Sequence, residues 1–248
     1  MAGWSVASAG DVNGDSVGDI VIGAFSADPG GVDRAGRSYV VFDTTGGFCA
    51  SVNLAALADG TDGFVINGHV IGDVTSCFVA ADGDFNGDGF GDVVIGAAEA
   101  AAFDGHSSVV FGAAGGLPAV ISRATIAAGV AGFAIADQAA GDRSGSSVSN
   151  VGDVNGDGIG DRLFDARFAD PPTSGYTERT DVLFGSTAPS AAAVSLTIGA
   201  AGSGGFVINS QNTGDLSGQS VTVVGDLNGD GIDKVLIGVP FSATAAGA

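Results

Sequence analysis

Short apolar runs alternate with glycine-rich polar segments along the whole chain. The runs hold two to four apolar or β-branched residues, which is too short for helices and predicts β-strands. Four kinds of run recur in a fixed order, and we name them strands A to D. Strand A is predicted at Ser5–Ser8, Phe78–Ala81, Ser147–Asn150 and Ser220–Val223; strand B at Ile20–Ile22, Val93–Ile95, Leu163–Phe164 and Val235–Ile237; strand C at Tyr39–Phe42, Val109–Phe111 and Val182–Phe184; strand D at Phe64–Asn67, Phe133–Ile135 and Phe206–Asn209.

This order predicts an all-β chain built from repeated four-stranded antiparallel units. Strands B and C are apolar at consecutive positions, so we expect both of their faces to be buried. Units buried on both faces and repeated in series indicate a β-propeller, with the small residues of strand A next to its axis. The units span residues 3–72, 73–141, 142–214 and 215–241, and the fourth has strands A and B only. We expect the chain to be a fragment of a longer propeller.

A nine-residue polar loop joins strands A and B in every unit. In the first three units, side chains with oxygen atoms occupy its first, third, fifth and ninth positions, with glycines between them. Ca²⁺ takes six to eight oxygen ligands, and glycines let a backbone fold closely around an ion. The first three loops therefore predict calcium sites, with a backbone carbonyl as ligand at the seventh position. The predicted ligands are Asp11, Asn13, Asp15, Val17 and Asp19; Asp84, Asn86, Asp88, Phe90 and Asp92; and Asp153, Asn155, Asp157, Ile159 and Asp161.

The fourth loop departs from the others at one residue. It supplies Asp226, Asn228, Asp230 and Ile232, but Lys234 stands at the ninth position. The change removes a carboxylate and adds an ammonium group, so we expect this site to be empty or very weak. Either Lys234 takes the place of the ion and ties Asp226 and Asp230 together, or it swings out and Asp233 turns in. Because a strand alternates sides at each residue, we expect Asp233 to face away from the ion unless the turn distorts.

An EF-hand and a metal-free turn are the two rivals of a nine-residue calcium loop. An EF-hand requires a bidentate glutamate at the twelfth position, where this chain has only apolar residues: Ile22, Ile95, Phe164 and Ile237. The loops are therefore not EF-hands. A turn closed by hydrogen bonds from aspartate and asparagine side chains, with no metal, also fits the pattern, and the sequence leaves it open.

Composition limits the classes of partner. The chain is glycine-rich, with 44 glycines among 248 residues, which agrees with many tight turns. It has 28 acidic and 8 basic residues, and its net charge is −20. Such an acidic chain is a poor match for nucleic acid or for an anionic membrane surface. No apolar run approaches the ~20 residues of a membrane-spanning helix, so we expect no insertion into a membrane.

These loops, followed by an apolar strand and Gly-Ala as in Ile22-Gly23-Ala24 and Ile95-Gly96-Ala97, resemble the FG-GAP repeats of integrin α-subunits and related bacterial extracellular proteins. The resemblance covers nearly the whole chain. It implies a seven-bladed propeller that holds Ca²⁺ in its A–B hairpins on one face. The chain departs from that pattern because it has three full units and half of a fourth.

The resulting prediction is a secreted or cell-surface module for adhesion or protein interaction, with structural Ca²⁺ as its cofactor. We predict no enzymatic activity, because no Ser/His/Asp or Cys/His spacing supports catalysis. The alternative is an accessory propeller of a larger secreted enzyme, such as a phospholipase-like hydrolase. We expect a protein or glycan ligand to bind the face formed by the B–C and D–A loops. The B–C segments are Phe25–Arg37, Ala98–His106 and Arg167–Arg179.

Two further expectations concern single residues. Arg162 stands where strand B is otherwise apolar, so we expect the third unit to be locally open or Arg162 to pair with an acid. Asp165 and Phe78 also break the repeat, and the sequence gives no reason for them. Cys49 and Cys77 are predicted not to form a disulfide, because the strand order places them on opposite faces.

Overall fold

The computed structural model describes residues 2–48, 50–75, 77–81, 83–100, 105–136, 141–169, 178–188, 193–196, 201–202, 204–212 and 214–241. Numbered in chain order, the strands are β1 (Ser5–Gly10), β2 (Asp19–Ala24), β3 (Arg37–Val41), β4 (Gly63–Asn67), β5 (Phe78–Ala80), β6 (Val93–Ala97), β7 (His106–Val110), β8 (Val120–Ser122), β9 (Gly132–Ala136), β10 (Ser144–Gly152), β11 (Asp161–Ala166), β12 (Arg179–Leu183), β13 (Ala193–Ser195), β14 (Gly205–Asn209), β15 (Val221–Gly225) and β16 (Lys234–Ile237).

The described helices are short. One α-helix, α1 (Arg123–Ala127), follows β8, and two 3-10 turns span Pro29–Gly31 and Ala56–Asp59. Ser122 caps α1 through its hydroxyl oxygen, which accepts a hydrogen bond from the backbone N–H of Thr125. No helix in the described ranges has the length and apolar character needed to cross a membrane.

The strands form sheets in the predicted order A–B–C–D. Sheet 1 contains β1–β4, sheet 2 contains β5, β6, β7 and β9, sheet 3 contains β10, β11, β12 and β14, and sheet 4 is the pair β15 and β16. Neighbours within these sets are antiparallel. The all-β architecture predicted from the pattern of apolar runs is therefore confirmed, and the sheets are consistent with blades of a propeller. Within the described residues the sheets do not close into a ring.

Two sheets have a fifth strand that the sequence did not predict. β8 pairs with β4, and β13 pairs with β9, and both pairings are parallel. Each added strand comes from the connection between strands C and D of the next unit. The prediction of four-stranded units was therefore incomplete, because a three-residue strand lies within a long connection and has no hydrophobic period of its own.

Apolar side chains fill the spaces between consecutive sheets. Between sheets 1 and 2, one buried cluster joins Val21, Val40 and Phe64 to Val79 and Ile95. Equivalent clusters lie between sheets 2 and 3 and between sheets 3 and 4. Strand β6 is buried at all five positions, as expected for a strand with two covered faces. The core is thus a series of layers, and each unit depends on its neighbours.

Strand β11 shows how the third unit accommodates Arg162. The side chain is fully buried, so the expectation of a locally open unit was wrong. Its guanidinium group donates hydrogen bonds to Asn150 Oδ1 at 2.8 Å and to the carbonyl of Gly83 at 2.6 Å, and it lies 5.5 Å from the centre of the Phe85 ring. Gly83 and Phe85 lie in the connection between strands β5 and β6, so Arg162 ties sheet 3 to the A–B segment of sheet 2.

The other two departures from the repeat are also buried or partly buried. The Asp165 carboxylate is buried and accepts hydrogen bonds from the hydroxyls of Ser146 and Thr180. Burial raises its pKa to about 7, while the bond from Ser146 lowers it. Phe78 packs against the cluster between sheets 2 and 3. Nearby, Cys77 has a free thiol; Cys49 lies outside the described residues.

Hydrogen bonds also join the A–B loops of consecutive sheets. The backbone N–H at the eighth loop position donates to the carbonyl at the first position of the preceding loop. The bonds run from Gly91 to Asp11 at 2.8 Å, from Gly160 to Asp84 at 3.0 Å, and from Asp233 to Asp153 at 2.8 Å. The four loops are therefore one continuous chain of contacts across three sheet interfaces.

Gly91 gives a direct test of this contact. A Cβ atom at Gly91 would lie 2.4 Å from the carbonyl oxygen of Ala9, whereas one at Gly18 would meet nothing within 4 Å. We predict that Gly91→Ala lowers the free energy of unfolding by about 1–3 kcal/mol through overpacking. Gly18→Ala, at the same loop position, should stay within about 0.5 kcal/mol of wild type. Urea unfolding measures both, and equal stability of the two variants would contradict the contact.

Candidate metal centre in the aspartate loops

The first aspartate of each loop holds the turn together. In loop one, Asp11 Oδ1 accepts hydrogen bonds from the backbone N–H groups of Gly14 at 2.7 Å and Asp15 at 3.0 Å, and Asp11 Oδ2 accepts from Ser16 at 2.8 Å. The same three bonds recur around Asp153 and Asp226. Asp84 shows two of them. The carboxylate thus satisfies backbone donors that the tight turn leaves without a strand partner.

The third and fifth positions extend this network. In loop two, Asn86 Oδ1 accepts from the N–H of Asp88, and Asp88 Oδ1 accepts from the N–H of Phe90, each at 3.0 Å. The Asn86 amide nitrogen also donates to Asp88 Oδ2 at 2.8 Å. A turn closed by aspartate and asparagine hydrogen bonds is therefore present in the structure.

The ninth aspartate has a role that the sequence did not reveal. Asp92 is fully buried. Its Oδ2 accepts from the backbone N–H of Phe85, in its own loop, at 2.7 Å, and its Oδ1 accepts from Gly112, just after strand C, at 3.0 Å. Asp19 bridges Val12 and Asp43 in the same way, and Asp161 bridges Val154 and Gly185. Each of these carboxylates clamps its A–B loop to the end of strand C.

Burial sets the protonation of the ninth-position aspartates. It raises the pKa of Asp92 to about 7 and the pKa values of Asp19 and Asp161 to about 6, against an ordinary value of 3.8, although the backbone hydrogen bonds oppose this shift. Asp226, the first aspartate of loop four, behaves differently. The hydrogen bonds from Gly231, Asp230 and Gly229 lower the pKa of Asp226.

Loop four places a cation among the predicted ligand atoms. Lys234 Nζ donates to Asp230 Oδ1 at 2.8 Å and to the carbonyl oxygen of Ile232 at 2.7 Å, the fifth and seventh positions of the loop. The hydrogen bond from Lys234 lowers the pKa of Asp230 to about 2. Lys234 thus turns into the loop and contacts Asp230, as the first of the two alternatives expects, but its second partner is Ile232 rather than Asp226.

Asp233 does not turn into the loop. Its Oδ2 accepts from the backbone N–H of Asp153 at 3.1 Å, so the side chain lies against loop three of the neighbouring sheet. The side chain of Asp233 therefore lies outside its own loop. Asp233 strengthens the contact between loops instead of serving as a ligand.

The donor set of loops one to three fits a hard cation. All predicted ligands offer oxygen, each loop has three carboxylates, and loop four shows that the fifth and seventh positions converge on one positive charge. Among the described residues, no three Asp, Glu, His or Cys side chains are grouped as they would be around a bound metal. The aspartate oxygens are instead occupied by backbone N–H groups.

Comparison with known proteins adds one assignment. Residues 2–41 match the family model of the FG-GAP repeat. The chain carries an FG-GAP repeat. The matched range contains strands β1 to β3 and loop one. No curated protein matches the chain. Loops two to four repeat most hydrogen bonds of the loop within the matched FG-GAP repeat. Loop two has two of the three bonds to its first aspartate, and loop four has Lys234 in place of the ninth carboxylate.

Loop one of the FG-GAP repeat contains a strained residue, which gives a stability prediction. Ser16 has φ of 68°, whereas the equivalent residues in the other loops are Gly89, Gly158 and Gly231, all with positive φ. A left-handed conformation costs a non-glycine residue roughly 1–2 kcal/mol. We predict that Ser16→Gly raises the free energy of unfolding by about 1 kcal/mol.

The reverse substitution, Gly89→Ser in loop two, is the matched control and should lower the free energy of unfolding by a similar amount. Chemical unfolding of both variants in a chelating buffer measures the two effects. Loss of stability in Ser16→Gly would contradict the assignment of strain.

The raised pKa values predict how stability changes with pH. A carboxyl group with a raised pKa binds its proton more tightly in the folded chain than in the unfolded chain. Its contribution to the free energy of unfolding is fully present below about pH 4, the pKa of the group in the unfolded chain. This contribution is lost as pH rises through the pKa of the group in the folded chain. We therefore predict that, without calcium, the free energy of unfolding falls between pH 5 and pH 7.5.

Asp92→Asn tests the assignment, because asparagine keeps an acceptor oxygen but has no titrating proton. The variant should show a shallower fall with pH, with the remaining slope carried by Asp19, Asp161, Asp165 and Asp181, whose pKa values burial also raises. Urea midpoints measured across this range provide the comparison. An unchanged slope in Asp92→Asn would show that the Asp92 carboxyl does not titrate differently in the folded chain.

Proposed function

We propose that this FG-GAP chain is a calcium-stabilised module of the cell exterior that binds a protein partner and performs no chemistry of its own. FG-GAP repeats imply a β-propeller interaction module and are typically extracellular. The observation that carries the calcium proposal is the position of Lys234. Its ammonium group lies between a carboxylate and a carbonyl that have equivalents in every loop, and in the other loops the lysine is replaced by aspartate.

The proposed ligands are those predicted from the sequence, at the first, third, fifth, seventh and ninth positions of loops one to three. In these loops a divalent ion would supply the positive charge that Lys234 supplies in loop four. It would also offset the repulsion among three carboxylates in one turn, which amounts to several kcal/mol per close pair at an effective dielectric constant near ~20. The ion has a structural task, because the loops it would bind are the ones that link consecutive sheets.

The proposed partner surface is the face opposite the aspartate loops, formed by the B–C and D–A segments. Loops on a rigid scaffold commonly carry recognition. In the first unit, the described B–C segment Phe25–Arg37 is held by hydrogen bonds from the backbone N–H of Arg34 to Asp28 Oδ1 and from Gly36 to the Ala27 carbonyl. We do not extend the proposal to an accessory role in a secreted enzyme, because no observation favours that role.

Calorimetric titration of the chelator-treated chain with Ca²⁺ tests the proposal. We predict three bound ions and a higher melting temperature, with the weakest site in loop one because of Ser16. Asp88→Asn and Asp157→Asn should each remove one ion, since each substitution takes a carboxylate from the fifth position. Absence of binding in the wild-type chain would refute the proposal.

Lys234→Asp is the matched gain-of-function variant. Replacing the ammonium group by a carboxylate makes the net charge of the loop more negative by two units. It also gives loop four the same ninth-position aspartate as the other three loops. We predict that the variant binds a fourth ion. An unchanged stoichiometry would show that the rest of the fourth unit, rather than Lys234, prevents binding.

A further inference from the structure

The outer edge of sheet 3 lacks a described strand of the kind that both preceding sheets have. Sheet 1 ends in β8 and sheet 2 ends in β13, each paired in parallel with strand D of its sheet. In sheet 3, the described strand order ends at β14 itself. The chain thus shows two occupied copies of this edge and one copy with no described strand against it.

The exposure of one phenylalanine reflects this difference. Phe64 and Phe133 begin the equivalent strands and are buried, whereas Phe206 is 37% exposed. Ile121 and Ile126, from β8 and α1, lie in the same apolar cluster as Phe64. Leu196, just after β13, lies in the cluster of Phe133. On its inner side, Phe206 packs against Phe184, with 6.0 Å between the ring centres. Phe64 and Phe133 make the equivalent contacts with Phe42 and Phe111.

The register of the occupied edges defines which backbone atoms would bind an added strand. In sheet 1, the N–H of Val65 donates to the carbonyl of Ala119, and Val65 is paired on its other side with Tyr39. Val207 follows Phe206 as Val65 follows Phe64, and it is paired with Asp181 of β12 in the same register. The N–H of Val207 therefore points to the outer edge.

A buried acid follows strand D at the same spacing along the chain in sheets 1 and 3, and in sheet 3 its carboxylate accepts hydrogen bonds from Asn212. Asp73, six residues after the end of β4, forms a buried ion pair with Arg123, which directly follows β8, with 3.6 Å between Oδ2 and Nη1. Asp215 is also buried and has the same spacing from the end of β14. An added strand with arginine after its last residue would bring a positive charge toward Asp215, as Arg123 does toward Asp73.

We propose that the β14 edge binds an extended peptide segment in parallel, as an added strand. The strands at both occupied edges share an apolar residue, a β-branched residue and serine. In sheet 1 they are followed by the basic Arg123 and by Ile126, and in sheet 2 directly by Leu196. The added segment follows the sheet 1 pattern and has an aliphatic side chain that covers Phe206. The segment Val120-Ile121-Ser122-Arg123, with Ile126, has this pattern. Main-chain hydrogen bonds give such a contact its affinity, and side-chain pockets give it selectivity. This surface is separate from the aspartate loops, and its occupation does not depend on calcium.

The probe is a fluorescently labelled synthetic peptide with the sequence of residues 117–129, added to the full chain and followed by fluorescence anisotropy. We expect saturable binding. An Ile121→Lys peptide should bind roughly tenfold more weakly or worse, because a charge would replace the side chain that enters the apolar cluster. An Arg123→Glu peptide should also bind more weakly, because it brings a second negative charge toward Asp215.

A pair of protein variants tests the edge itself. Val207→Pro removes the outward N–H and should abolish binding, since proline is tolerated on edge strands but cannot donate. Val207→Ala keeps the N–H and should retain most of the binding. If Val207→Pro perturbs folding, hydrogen exchange in the wild-type chain gives the answer, because the Val207 amide should exchange more slowly once the peptide is bound.

The proposal would be overturned if the wild-type peptide did not bind at millimolar concentration, or if it bound equally to Val207→Pro and Val207→Ala. Unchanged exchange of the Val207 amide in the complex would also contradict it. Self-association of the chain that depends on Val207, without binding of the peptide, would also overturn it, because the occupant would then be a second copy.

Discussion

The tight A–B turns depend on one requirement: their backbone N–H groups must find acceptors although no strand lies beside them. The first aspartate of each loop supplies acceptors within the turn, and the ninth supplies them between the turn and the end of strand C. The bonds to Asp92, the ninth aspartate of loop two, are buried, and an unpaired buried backbone group costs about as much as a lost hydrogen bond. These carboxylates therefore have a structural task that is independent of any bound ion.

The same loops connect the layers of the molecule. Each loop donates to the one before it, and the segment after strand C of the following sheet donates to the loop as well, from Ala113 to Val12 and from Ser186 to Phe85. Close approach at these points requires glycine at positions such as Gly91 and Gly112, where a Cβ atom would strike a carbonyl. Arg162 adds a cationic link between the layers of sheets 2 and 3. Stability of one layer consequently depends on its neighbours.

Strand order and the aspartate loops could be predicted from sequence because both rest on local patterns. Strands B and C are continuous apolar runs, and the loop repeats four times. Comparing the four loops also singles out Ser16, which stands where the other loops have glycine and has a positive φ in the structure. The added strands β8 and β13 could not be predicted, because their pairing depends on contacts with a different unit. The clamp made by Asp92 was missed for a similar reason, since its partner Gly112 lies beyond strand C. The environment of Arg162 likewise comes from sheet 2, which the sequence of strand β11 does not reveal.

The central claim is that hydrogen bonds within the chain shape the aspartate loops before any ion binds, so that calcium would stabilise an existing arrangement. Native-state amide hydrogen exchange tests this claim most directly. We predict that the N–H groups of Phe85 and Gly91 stay protected, to a degree close to that of strand β6, both with calcium and with an excess of chelator. Fast exchange of these two amides in chelator, at the rate of an exposed loop, would contradict the claim and show that the ion itself folds the loop.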